Sequence, residues 1–152
     1  MLRLAKLEEV SEICRAFQKF EKRQKEKGLP PVFSFVRHDY LKRCVESGTL
    51  YYDNGMIAVL KQYKVKTKYG SRPGDWCMPE VLSVTDNPLH VISFYKRIIA
   101  EKVKSARLYG TIRDDNTISL AFHTALGYRR VGDISWSNGT LPGGVFVYES
   151  KN

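Results

Sequence analysis

Two β-rich runs, Thr49 to Tyr52 and Met56 to Val65, are separated by Asp53-Asn54-Gly55. An Asn-Gly step suits the tight turn in which both central residues take positive φ, so it closes an antiparallel hairpin. The chain then changes character. A turn-rich stretch from Tyr69 to Asp75 leads into a strand from about Trp76 to Val84, after which helical and β-rich segments alternate.

The helices are marked at their ends. Val10, Ile13, Cys14, Phe17 and Phe20 recur at three- and four-residue steps, an amphipathic pattern that Gly28 and Pro30-Pro31 stop. Leu2 to Ala5 precedes it as a short opening strand, and Asp39 to Glu46 follows as a second helix stopped by Gly48. Asp86-Asn87-Pro88 reads as a capping residue followed by Pro in the first turn. The helix it opens carries Val91, Phe94, Tyr95, Ile98, Ile99 and Val103 on its apolar side. Arg107 to Ile112 is a strand, Thr117 to Leu126 a helix ended by Gly127, and Tyr128 to Ile134 a strand. Gly143-Gly144 precedes the last strand, Val145 to Glu149. The order β-α-α-β-β-β-α-β-α-β-β predicts an α/β (α+β) chain with a mixed sheet and helices on both faces. No internal repeat, low-complexity tract or Gly/Ser linker interrupts it, so residues 1–152 read as a single domain.

Composition narrows the partners. With 152 residues and 43% hydrophobic side chains the chain buries a proper core. The net charge of +9 favours an anionic partner: a phosphate-bearing cofactor, nucleic acid or a membrane surface. The first 75 residues hold 16 basic and 9 acidic side chains, so the surplus sits at the front. Cys14, Cys44 and Cys77 are an odd number without CxxC spacing, which fits a reducing cytoplasm. His38, His90 and His123 are scattered, so no metal site is expected. The opening MLRLAKLEEV lacks a signal-peptide apolar stretch and no 18-residue apolar run occurs, so a soluble cytoplasmic protein without a membrane partner is expected.

One segment carries more. From Arg113-Asp114-Asp115-Asn116 through Phe122-His123 to Leu126-Gly127-Tyr128 and Val131-Gly132, Asn116 can cap a helix and still offer an amide to a ligand. Gly127 can end that helix in the left-handed region. The segment resembles the GNAT superfamily of acyl-CoA-dependent N-acyltransferases, and the element order matches that family from end to end. The resemblance implies a mostly antiparallel central sheet, acetyl-CoA or another acyl-CoA as co-substrate, and an amine acceptor, small or macromolecular. By the same resemblance, Leu82 and Val84 end the strand that holds the acyl group, with the Val84 backbone meeting the thioester carbonyl, while Asn116 and Phe122 meet the pantetheine arm.

The sequence departs from the family twice. The family's pyrophosphate loop, Arg/Gln-x-x-Gly-x-Gly/Ala, falls on positions that include His90, Ser93 and Tyr95, and neither glycine is present. His90, Ser93 and the helix start at Pro88 are then the candidates for the phosphates. The family's usual tyrosine acid is replaced by His123, whose unperturbed pKa of about 6.5 suits proton transfer near neutrality. A half-buried histidine without a role is the competing reading. Glu80 shares a strand face with Leu82 and Val84 and is the candidate base, against a structural ion pair. Asp115 is a further acid-base candidate.

Lys64, Lys66 and Lys68 alternate, so they are expected on one strand face, with Arg72, Tyr63 and Tyr69 close by. Cations interleaved with aromatics suit phosphate backbones, although lysines also protect edge strands. Nucleic acid is therefore the alternative partner. Pro88-Leu-His-Val-Ile-Ser93-Phe94 is loosely similar to a stretch of the Mom-type DNA modification proteins, which would make Ser93, Asp115 and Arg72 the working residues. A degenerate fold that only binds a partner is the third reading, and an oligomer is compatible with all of them.

Overall fold

A computed structural model describes residues 2–85 and 87–150 of the chain. Its α-helices are α1 (Val10–Glu26), α2 (His38–Glu46), α3 (Pro88–Ile98) and α4 (Thr117–Leu126), with a short 3-10 turn at Leu7–Glu9 and a π-helical turn at Ile99–Val103. Its strands are β1 (Leu50–Asp53), β2 (Met56–Gln62), β3 (Trp76–Ser83), β4 (Arg107–Arg113), β5 (Arg129–Trp136) and β6 (Leu141–Glu149). The strands form one mixed sheet in the order β1-β2-β3-β4-β6-β5. Among the described residues no helix is long and apolar enough to cross a membrane.

The chain divides into two compact units, Met1–Leu60 with Glu80–Arg97, and Lys61–Pro79 with Ile98–Asn152. In the first, Asn54 (φ 48°) and Gly55 (φ 77°) make the expected turn, and Leu50↔Val59 through Asp53↔Met56 pair across it. The opening segment reaches the sheet at one bridge, Leu4↔Tyr51, rather than as a full strand. Val10, Ile13, Cys14 and Phe17 of α1 and Leu41 and Cys44 of α2 close over Leu50, Ile57, Val59 and Leu82. Met56, Ala58 and Leu60 alternate with Ile57 and Val59 and are buried as well, so β2 is covered on both faces. Phe33 meets Phe17 edge-on at 5.0 Å, which ties the loop after α1 to this core.

In the second unit β4 and β6 pair antiparallel from Arg107↔Glu149 to Arg113↔Gly143. β5 joins β6 with a register shift between Arg130 and Gly132. Parallel pairing of β3 with β4 runs over Trp76↔Leu108 and Cys77↔Tyr109. Pro79, two residues on, has no N–H to continue a ladder. Tyr109, Val145 and Val147 form the apolar centre, packed by Tyr63, Tyr69, Cys77, Val131 and Ile134.

The lysine run is the main correction to the sequence reading. β2 ends at Gln62, so Lys64, Lys66 and Lys68 lie in a loop and share no strand face. That loop is folded on itself and tied down. Thr67 Oγ1 meets Ser71 Oγ at 2.7 Å, Tyr63 and Asp75 bond through their backbones, and Arg107 holds Gly70 O. Tyr69 donates to Asp133 O and lies where a side chain on Gly132 would stand. Alternation of lysines mimics a strand; the side-chain bonds of Asp75 and Tyr69 decide otherwise.

Candidate active site

The candidate residues fall into two groups, one in each unit, and each is built by its own local structure. In the second unit α4 begins and ends as its sequence dictates. Asn116 Oδ1 accepts the Ser119 N–H at 3.1 Å, an N-cap, and Gly127 takes φ 101° at the C-terminus. Between these ends lies an apolar helix, TISLAFHTAL, in which no residue is fully buried. Ile118 is 84% exposed, while Phe122 and His123 are half-buried. An apolar helix left this open can take an apolar cover.

His123 is held at one nitrogen. Its Nδ1 lies 2.7 Å from Ser119 O. A carbonyl oxygen only accepts, so Nδ1 carries the proton and the neutral ring has its lone pair at Nε2. The Ser119 hydroxyl stands 3.2 Å from the same nitrogen. Tyr128 packs on the ring edge-on at 4.9 Å and is itself backed by Tyr148. Burial holds the His123 pKa below the usual histidine value, although the bond to Ser119 works the other way. The expected acid therefore begins as a neutral imidazole with an acceptor nitrogen.

Asp115, a candidate for acid-base work, is paired with Arg113 Nε at 3.1 Å and is half exposed. Its neighbour Asp114 is held by Arg130, which also pairs with Asp133. Both carboxylates belong to ion pairs of the turn that precedes Asn116. Lys64, Lys66, Lys68 and Arg72 are all exposed, and Lys68 lies over the Tyr69 ring at 5.2 Å. The Arg72 N–H is used in the loop, bonded to Asp75.

In the first unit Glu80 is 3% exposed and shares its strand face with Leu82, which is buried against α1 and α2. The Tyr40 hydroxyl from α2 stands 2.9 Å from Oε1 and 3.0 Å from Oε2 of Glu80. Burial first, and then the Glu80 charge, push the Tyr40 pKa above its ordinary value. Tyr40 lies forty positions from Glu80 in sequence, and no local pattern marks it.

β3 ends one residue before Val84, which is 50% exposed. Its N–H is bonded to Gly55 O at 2.7 Å, so the donor that the resemblance assigns to the acyl carbonyl is already engaged. The start of α3 is similarly closed. Pro88 has no N–H, Asn87 Oδ1 accepts from Leu89, and Asn87 O accepts from His90. Asn87 is thus a cap of α3; Asp86, expected in that role, lies outside the described residues. The amides expected to be open for phosphates are largely spoken for, while the side chains of His90 and Ser93 are exposed, with His90 Nδ1 3.4 Å from Thr85 Oγ1. Tyr95 is buried, as core packing requires. Among the described residues no group of His, Cys, Asp or Glu is placed to hold a metal ion.

No protein-family model and no curated protein matches the chain. Solved structures do. A GNAT-family acetyltransferase from Streptococcus agalactiae 2603 aligns with a TM-score of 0.79 at 11% identity, over 100% of this chain and 96% of that one. One from Bacillus cereus ATCC 10987 aligns at 0.69 and 9% identity, over 100% and 98%. Chaetomium thermophilum Naa20, in complex with a bisubstrate analogue, aligns at 0.71 and 10% identity, over 99% and 87%. At such identities the likeness is one of backbone, not of side chains. From end to end, this chain has the fold of the GNAT acetyltransferases.

Proposed function

We propose that the chain is an N-acyltransferase that moves an acetyl group directly from acetyl-CoA to a primary amine. The observation that carries this reading is the fold likeness over the whole chain, to proteins named as acetyltransferases. The Asn116 to Tyr128 segment adds to it, because it supplies a polar cap, an open apolar helix and a proton-carrying ring in one stretch.

The roles follow from the chemistry of each group. The apolar side of α4, with Phe122 and the Asn116 amide, suits a pantetheine arm, which is apolar with spaced amides. His90 and Ser93 offer side-chain donors to phosphates, in place of the amides that Asn87 occupies. Leu82 belongs to the strand that leads to the acyl group, and the thioester carbonyl is not assigned to the Val84 N–H. An amine arrives as ammonium and must lose a proton before it attacks; Glu80 is the acceptor for that proton. On attack the nitrogen sheds a second proton, and the departing thiolate needs one. His123, neutral with its lone pair at Nε2, is chemically suited to carrying a proton from nitrogen to sulfur. The sum is amide, free thiol and one proton released through Glu80.

The nucleic-acid reading rested on the basic first half of the chain, on a loose similarity of Pro88–Phe94 to the Mom-type proteins and on three lysines expected to share a strand face. They sit in a pinned loop instead, and no observation raises that reading above acyl transfer. The test is calorimetric titration with acetyl-CoA, followed by thiol release with a panel of an α-amino peptide, a lysyl peptide and a polyamine. Binding and thiol release with at least one amine support the proposal. Absence of heat and of any thermal shift at millimolar acetyl-CoA removes it.

A further inference from the structure

Glu80 poses a problem for a base. At 3% exposure its carboxylate is buried on the same face as Leu82, beside a cluster that includes Leu41, Cys44 and Cys14, so a bulky ammonium has little access to it. The group set against both of its oxygens is the Tyr40 hydroxyl, at 2.9 and 3.0 Å. Tyr40 is half-buried in the first turn of α2, and the exposed Phe35 lies edge-on to its ring at 6.1 Å.

We propose that Tyr40 is a proton relay, passing the first proton of the acceptor ammonium to Glu80. This rests on the acyl-transfer reading and names the path that reading leaves open. A phenol is suited to the task because its oxygen donates one hydrogen bond and accepts others. As an ammonium N–H bond breaks, its proton joins the Tyr40 oxygen. The proton already on that oxygen passes to Glu80, whose carboxylate becomes a carboxylic acid. Tyr40 ends as it began, a neutral phenol; the amine gains its lone pair and the charge lost from nitrogen cancels the charge on Glu80. The elevated pKa of Tyr40 is consistent with this, since the phenol stays protonated and passes protons on without ionising. The Cys44 thiol on α2 is a further titratable group beside Tyr40.

The experiment uses the full chain, acetyl-CoA and whichever amine of the panel it turns over fastest. Three variants are compared: Tyr40→Phe, Glu80→Gln and the double substitution. Glu80→Gln keeps an oxygen that Tyr40 can donate to, so it separates proton acceptance from packing. Each single change is expected to lower kcat about 100-fold with the acetyl-CoA Kd unchanged, within the range of general acid-base effects. The double variant should be no slower than either single one, because both interrupt one path. A Tyr40→Phe protein that keeps kcat within about twofold overturns the relay, as does a double variant whose losses multiply. Should Tyr40→Phe not fold, Glu80→Gln decides: full activity there overturns the relay too. A wild-type protein inactive towards every amine overturns the acyl-transfer reading instead, and the relay with it.

Discussion

His123 donates from Nδ1 to the carbonyl oxygen of Ser119, one turn earlier on α4, across 2.7 Å. That bond fixes the tautomer, and burial keeps the ring neutral to a lower pH than a solvent-exposed histidine. Since the folded pKa lies below the unfolded value, protonation favours the unfolded chain. Stability should therefore rise with pH between the folded pKa and about 6.5, the unperturbed value, and level off above it. Denaturant melts of wild type and His123→Gln from pH 5 to 8 check this. The slope should flatten in the variant; an unchanged slope would contradict the assignment.

The same ring sets an activity prediction. His123→Ala is expected to lower kcat about 100-fold with little change in the acetyl-CoA Kd, the scale of losing one proton carrier. In the wild type, kcat/KM should hold as pH falls through the ordinary histidine range and drop only below it. A drop centred at or above the ordinary value would show that burial does not govern this histidine.

Asp75 and Arg107 hold the loop between β2 and β3. The carboxylate accepts from the Arg72 N–H, from the Arg107 N–H and from two guanidinium nitrogens of Arg107. Burial alone would raise its pKa, but these bonds outweigh it and hold the carboxyl below its usual value. A depressed carboxylate contributes stability above its unfolded pKa and loses it as pH falls through the folded one, so the loss belongs below about pH 4. Asp75→Asn should cost about 3 kcal/mol at neutral pH, as expected when one member of a mostly buried ion pair is removed. Thermal melts from pH 7 downward test both statements: the gap between variant and wild type should be widest near neutrality and narrow progressively as pH falls below about 4.

Phe17 is 1% exposed and packs against Phe33. Phe17→Ala should cost about 3–5 kcal/mol, by lost burial and the cavity left behind. Because Phe33 anchors the loop after α1, proteolysis in residues 27–37 should rise in the variant. A loss under about 1 kcal/mol would mean the loop collapses into the space.

Much of the frame is local chemistry and was readable as such. Asn54-Gly55 made its hairpin, and Asn116 and Gly127 bounded α4 where their side chains and φ preferences place them. Misreadings arose where a distant partner overrode a local pattern. Lys64, Lys66 and Lys68 alternate like a strand, but Asp75 and Arg107 fold that segment into a loop. Val84 ends a β-rich run, yet its N–H is taken by Gly55, which sits in the hairpin turn. The contact of Tyr40 with Glu80 is invisible in the sequence because only tertiary structure brings the two together. The Nδ1–H tautomer of His123 likewise depends on where Ser119 O points, which its sequence spacing of four permits but does not by itself specify.

The most direct measurement is thiol release from acetyl-CoA by the purified chain in the presence of the amine panel, read alongside calorimetric binding of acetyl-CoA. Saturable binding and amine-dependent thiol release, with an acetylated amine found by mass spectrometry, are the results expected of an N-acyltransferase. A folded protein that neither binds acetyl-CoA nor acetylates any amine at millimolar donor would contradict it.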